Sequence, residues 1–174
     1  LDKVVSTDAS SCIAIAKSNS QCATINRLAR AKRYGNHVAP IEVGDLLMVT
    51  QNNYLVPLVN GDFVEITWIG PDTYRAGIEF TEVRIKQTGL DTEYEVLLCK
   101  DVLKGSLPNL HPDQQRLLMI DFSKRLRKLG IKPKSEEYNE ALRKDRYLNS
   151  LRAVFGYAVT CHKSQGGEWD EVFL

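Results

Sequence analysis

The 174-residue chain is short of several features that would place it quickly. It has no run of about 18 apolar residues, the length a membrane-spanning helix requires, and its start, LDKVVSTDASS, lacks the basic, apolar, small-residue order of a signal peptide. Its four cysteines, Cys12, Cys22, Cys99 and Cys161, form no Cys-x-x-Cys pair and no histidine stands at zinc-finger spacing, so reduced thiols are expected and no metal site. The expected setting is therefore soluble, intracellular and cytoplasmic. Charge of neither sign dominates: 23 Lys and Arg against 22 Asp and Glu leave a net +1, so any attraction to a polyanion has to be local. There is also no Gly-x-x-x-x-Gly-Lys-(Ser/Thr), which excludes a P-loop phosphate cradle within the chain.

What is present is enough for a core, since 43% of the residues are hydrophobic. SCIAIA (11–16) reads as a buried strand. The helix after it has Ser20 as N-cap, an apolar stripe of Ala23, Ile25, Leu28 and Ala29, and Gly35 at its end. From Glu42 the period shortens to that of strands: GDLLMVTQNN, a turn at Asn60-Gly61-Asp62, then DFVEITWIG, in which Val64, Ile66 and Trp68 share one face and Trp68 is expected in the core. GIEFTEVRIKQT and TEYEVLLCKD add two more strands, and short strands at this spacing suggest a small barrel of SH3 or OB type. Helical periodicity returns in HPDQQRLLMIDFSKRLRKLG, with Leu118, Phe122, Leu126 and Leu129 along one side, and in SEEYNEALRKDRYLNSL, with Tyr138, Leu142 and Leu148. RAVFGYAVTCH is a strand and EVFL another, with a polar loop between them. His37 and His111 stand alone in loop-like sequence.

The chemistry concentrates in that loop. A strand ending at Thr160 and His162 runs into Lys163, Ser164, Gln165, Gly166, Gly167 and Glu168, and in open α/β sheets ligands bind beyond the carboxyl ends of strands. Paired glycines admit close approach, amides, hydroxyls and Lys163 offer donors to phosphate oxygens, and Glu168 suits a ribose hydroxyl. The same residues equally make a polar turn. The stretch SKRLRKLGIKPK holds six Lys or Arg from Lys124 to Lys134 without an acid, which fits either a phosphate backbone or the solvated face of an amphipathic helix. Asn52, Asn53 and Asn60 fit polar contacts to a nucleic-acid backbone or turn and cap roles.

The stretch TCHKSQGGEWDEV resembles motif V of superfamily 1 helicases in its RecD-like form, Thr-x-His-Lys-Ser-Gln-Gly-x-Glu-(aromatic)-(acidic)-x-Val, with Trp169 as the aromatic. GDLLMVTQNNYLVPLVNGD resembles the segment by which such helicases pass from their second RecA-like domain into an SH3-like insertion. The resemblance covers residues 11–70 and 152–174; it includes the alpha subunit of exodeoxyribonuclease V. It implies an α/β fold: a RecA-like, P-loop-NTPase-type second motor domain (2A), residues 1–54 and 152–174, interrupted by a small SH3-like β-barrel (2B), 55–105, with two helices in 106–151.

It further implies that Thr160, His162, Lys163 and Ser164 meet single-stranded DNA, to which the residue types of Asn52, Asn53 and Asn60 add candidate contacts. Gln165, Gly166, Gly167 and Glu168 would lie near the nucleotide. ATP and Mg²⁺ would serve the full-length protein, with none bound here. The implied partners are a preceding RecA-like domain of the same chain and subunits of a nuclease complex. Walker A, Walker B and the arginine of motif VI are missing, so no catalytic residue and no ATP hydrolysis are expected of this chain alone. With Leu1 not an initiator Met and apolar EVFL at the end, the sequence reads as a piece of something longer, in which EVFL is buried within a sheet. A rival of another class is a noncatalytic module binding single-stranded nucleic acid or a partner through the small barrel; a third is a structural domain that kept the fold and lost the site.

Overall fold

The computed structural model describes residues 12–35, 38–105, 107–165 and 169–174. The chain runs β1 (Cys12–Ala16), α1 (Asn19–Tyr34), β2 (Leu46–Val49), β3 (Phe63–Arg75), β4 (Ile78–Gln87), β5 (Glu93–Cys99), α2 (Lys100–Lys104), α3 (Pro112–Lys128), α4 (Glu136–Lys144), β6 (Ala153–Phe155), β7 (Ala158–Thr160) and β8 (Glu171–Phe173). Two sheets result: a parallel one in the order β7-β1-β8 and an antiparallel one in the order β5-β4-β3-β2-β6. The fold is thus mixed α/β.

The expected SH3-like barrel is not closed among the described residues. Its strands belong to the five-stranded sheet, which also takes in β2 and β6 from outside residues 55–105. The edges of that sheet meet through a single bridge, Leu98 to Leu151, with Leu151 N–H donating to Leu97 O at 2.7 Å and Cys99 N–H to Leu151 O at 3.0 Å. One bridge curls the sheet without making a ladder. The concave side holds the largest core, with Leu47, Val49, Val64, Ile66, Val83, Ile85, Leu98 and Leu151 all fully buried.

Trp68 leaves that core. The pairing steps from Ile66–Ile85 to Trp68–Arg84, so Thr67 is the extra residue of a β-bulge and the strict alternation of sides is lost at Trp68. The indole is 38% exposed, with the Arg84 guanidinium 5.2 Å from its ring centroid. A second step between Ile69 and Asp72 accommodates Gly70-Pro71, which a regular ladder would not.

Helix α1 begins earlier than its apolar pattern suggests. Ser18 is the N-cap and accepts from the Gln21 N–H at 3.2 Å, while Gln21 Oε1 accepts from the Lys17 N–H; Ser20 already lies in the first turn. Of the expected stripe, Ala29 is fully buried and Ile25 packs against Ala14, Cys22 and Ala158, but Ala23 is exposed and Leu28 is 47% exposed; Cys22, Asn26 and Arg30 share the inward face with Ala29. The reason is polar: Asn26 and Arg30 turn inward because the sheets leave them hydrogen-bonding partners.

Helix α3 packs Leu118, Phe122 and Leu126 inward as expected, but Leu129, its C-cap, is exposed. His111 is not idle: its ring accepts from the Asp113 N–H and its own N–H is held by Gln114, a capping box for α3. Helix α4 stops at Lys144, so Leu148 packs from the following turn rather than from a helix. There Asp145 takes the N–H groups of Tyr147 and Leu148 and an ion pair from Arg125 at 2.7 Å; Arg125 and Arg75 share Asp121, tying both helices to β3.

The expected strand 152–162 is two short ones in different sheets. The chain leaves the antiparallel sheet after Phe155, turns at Gly156-Tyr157 and enters the parallel sheet at Ala158. A Cβ on Gly156 would sit 3.0 Å from the Phe63 ring and 3.2 Å from Leu46, so a larger residue here would require those side chains to shift. β8 contrasts with the burial expected for EVFL: it pairs with β1 at the sheet edge, and Val172, Phe173 and Leu174 are exposed.

Candidate functional site

Residues 160–165 leave the C-terminal end of β7 as a tight turn: the N–H groups of Lys163 and Ser164 both donate to Thr160 O, at 2.8 and 3.1 Å, and Ser164 Oγ donates to Cys161 O at 2.8 Å. Cys161 and His162 are therefore turn residues rather than strand neighbours. His162 and Gln165 are exposed, while Thr160, Lys163 and Ser164 are half-buried. After the turn Trp169 packs edge-on against Phe63, ring centroids 6.2 Å apart, in a cluster with Ile13, Met48 and Val159. This fastens the far end of the loop to the body of the protein.

The turn lies at a cleft of about 720 Å³ between α1, β6, β7 and residues 103–105 and 107–108. Its floor is apolar, with Met48, Val154 and Phe155, and its charged lining is cationic: Arg27, Arg30, Lys104 and Lys163, without Asp or Glu. Arg30 and Lys104 are engaged, by Asp45 and Glu79 respectively. Arg27 and Lys163 have no carboxylate partner among the described residues. Burial pushes the Lys163 ammonium below its ordinary pKa, with the nearby Cys22 thiol opposing, and burial likewise raises the Cys22 thiol. An amine held partly out of water without a counter-charge favours an anion that supplies one.

Beneath the cleft lies a buried polar spine that the apolar periodicity of the sequence hides. Arg30 grips both oxygens of Asp45, at 2.8 and 2.9 Å, and donates to Ala39 O at 2.8 Å, with its guanidinium 4.3 Å from the Phe155 ring centroid. Asp45 also accepts from Tyr157 Oη at 3.1 Å and the Glu42 N–H at 2.8 Å, and Leu46 N–H donates to Tyr157 Oη. Burial raises the Tyr157 hydroxyl pKa, and the Asp45 carboxylate raises it further. Asn26 completes the spine by taking the Ala158 N–H at 2.8 Å and donating to Phe155 O at 3.0 Å. The signal for it was Asp45 within GDLLMV: Gly44 at φ +89° places its N–H on Ile66 O at 2.7 Å, which turns the next residue inward.

The asparagines stand elsewhere. Asn52 Oδ1 accepts from the Asn60 N–H at 2.9 Å, and Asn53 donates to Asn149 O at 2.8 Å while accepting from the N–H groups of Leu55 and Val56. All three thus shape the loop after β2, and no hydrogen bond joins that loop to residues 160–165 among the described residues. Of the residues expected near a nucleotide, Gly166, Gly167 and Glu168 lie outside the described residues, as does His37. Gln165 alone is described, and one exposed amide is not a triphosphate cradle. No group of three or more His, Cys, Asp or Glu side chains is placed to hold a metal ion among the described residues.

No family model and no curated protein matches the chain. No helix among the described residues is long and apolar enough to cross a membrane.

Proposed function

We propose that this chain is part of an ATP-dependent, RecD-like superfamily 1 DNA helicase, contributing the RecA-like second motor domain (2A), and that it holds the backbone of single-stranded DNA at the 160–165 turn. The observation that carries this reading is the placement of Thr160, Lys163 and Ser164. All three leave the carboxyl end of a parallel strand, and Thr160 and Lys163 line a cleft whose charged lining is cationic and whose lysine has no carboxylate partner among the described residues. In this role Thr160, Ser164 and His162 offer hydrogen bonds to phosphate or sugar, and Lys163 neutralises a phosphate. The Asn26–Arg30–Asp45–Tyr157 spine holds the turn's strand rigid. In this reading a preceding RecA-like domain would hold the phosphates of ATP, whose hydrolysis would drive stepping, and the chain alone turns over no ATP.

A second reading has its own support: Trp68, exposed on the antiparallel sheet beside Arg84, could stack a base, as noncatalytic single-strand-binding modules do. Fluorescence anisotropy with a labelled single-stranded oligonucleotide, across a salt series, separates the two. The motor reading expects Lys163→Ala to weaken binding and lower the salt slope by about one. Binding that ignores Lys163→Ala and collapses with Trp68→Ala would replace it with the second reading.

A further inference from the structure

Helix α3 has a second face that the packing of the described residues does not use. With Leu118, Phe122 and Leu126 inward, helical geometry places Leu117 and Ile120 on the opposite side, where they are 52% and 40% exposed. Arg116, Lys124, Arg127 and Lys128 surround them, all exposed, with Asp113 the single acid at the N-terminal end of that face. None of the four cations makes an ion pair among the described residues. Arg125, one position from Lys124, is instead consumed by Asp121 and Asp145, and Glu140 of α4 is taken by Lys144. Favourable interaction with the helix C-terminus accounts for Arg127 and Lys128. It accounts neither for Arg116 and Lys124 nor for two aliphatic side chains left in water between them.

We propose that the outward face of α3 docks an acidic amphipathic helix of a partner protein, Leu117 and Ile120 meeting its aliphatic stripe and the surrounding cations its carboxylates. Charge and apolar pattern select this occupant together. A phosphate backbone would use the cations but gain nothing from Leu117 and Ile120, and the face carries no aromatic on which a base could stack. A second copy laid face to face would set cation against cation. An acidic helix with leucines at i, i+3 and i+4 matches both features, in the helix-packing mode common among such complexes. The face owes nothing to the 160–165 turn, so the inference does not depend on the helicase reading.

The test uses the whole chain and a fluorescein-labelled peptide of alternating Glu pairs and Leu at helical spacing, beside a scrambled peptide of the same composition. Micromolar binding is expected to the patterned peptide and at least about fivefold weaker binding to the scrambled one, since registered apolar contact and not net charge supplies the difference. Ile120→Ser, and separately Lys124→Glu with Lys128→Glu, are each expected to weaken binding roughly tenfold. Far-UV circular dichroism and the melting temperature report on folding, and Leu117→Ser stands in for any variant that fails to fold. Equal binding of both peptides overturns the proposal, as does indifference to Ile120→Ser. Tighter binding of an oligonucleotide that is lost with Lys124→Glu and Lys128→Glu assigns the face to phosphate backbone instead. Self-association in sedimentation that Ile120→Ser abolishes assigns it to a second copy.

Discussion

Asn26 and Ala158 bond in both directions, the Ala158 N–H to Asn26 Oδ1 at 2.8 Å and Asn26 Nδ2 to Ala158 O at 3.4 Å. A helix side chain thereby stands in for a neighbouring strand at the point where the chain moves from one sheet to the other. Replacing it leaves buried backbone groups unpaired, a loss of about 1–3 kcal/mol. Asn26→Ala should lower the denaturant midpoint accordingly without changing the slope of the transition, as followed by tryptophan fluorescence in urea.

Removing one partner of a buried ion pair strands the other. Asp45→Asn leaves Arg30 without its counter-charge in a buried site, and Arg30→Met leaves Asp45 likewise, so each single change should cost about 3–5 kcal/mol of stability. Equilibrium unfolding of the two singles and the double variant gives the coupling, expected to exceed about 1 kcal/mol.

Tyr157 predicts an alkaline dependence. Its hydroxyl pKa is raised in the folded protein, so as pH passes the unfolded value of about 10 the unfolded chain loses a proton that the folded chain keeps, and stability falls. Tyr157→Phe should flatten the decline in melting temperature above about pH 10, leaving a remainder from Tyr34, whose hydroxyl burial also raises.

Glu79 predicts an acidic one. Hydrogen bonds from Lys100 first and Lys104 second lower its carboxyl to about 2. The stabilisation is complete above the unfolded value of about 4.3 and disappears as pH falls toward 2, up to about 3 kcal/mol. Glu79→Gln should remove much of that acid limb in a pH series of urea midpoints while leaving the alkaline limb unchanged.

For single-stranded DNA, Thr160→Val and Lys163→Ala should each weaken binding roughly three- to tenfold, and Asn52→Ala should act on the stability of the loop after β2 rather than on affinity. Anisotropy titrations at two salt concentrations, with melting temperatures alongside, read both.

Elements announced by apolar periodicity were legible in the sequence. β1, the long strands and the inward face of α3 at Leu118, Phe122 and Leu126 stand where pattern places them, because each buries hydrocarbon. What pattern missed was decided by hydrogen bonds or by register. Ser18 outcompetes Ser20 as cap because its hydroxyl takes the Gln21 N–H while Gln21 Oε1 takes the Lys17 N–H. Asn26 and Arg30 face inward because the sheet switch and Asp45 require donors there. Trp68 leaves the core because one extra residue at Thr67 changes which side it takes. The composition of RAVFGYAVT announces strand and carries no mark of two sheets beyond a single glycine. Of the candidate site, the turn at 160–165 was legible as a loop beyond a strand. The cleft beside it depends on residues 103–105 and 107–108, far away in sequence, and no local pattern reports that.

The switch between sheets also has a mechanical consequence. β6 and β7 are separated by two residues, of which Tyr157 is fixed by its buried hydroxyl and Asn26 clamps the carbonyl before and the amide after. This two-residue link, gripped by one asparagine, ties the position of Thr160 in the parallel sheet to that of Phe155 in the antiparallel one.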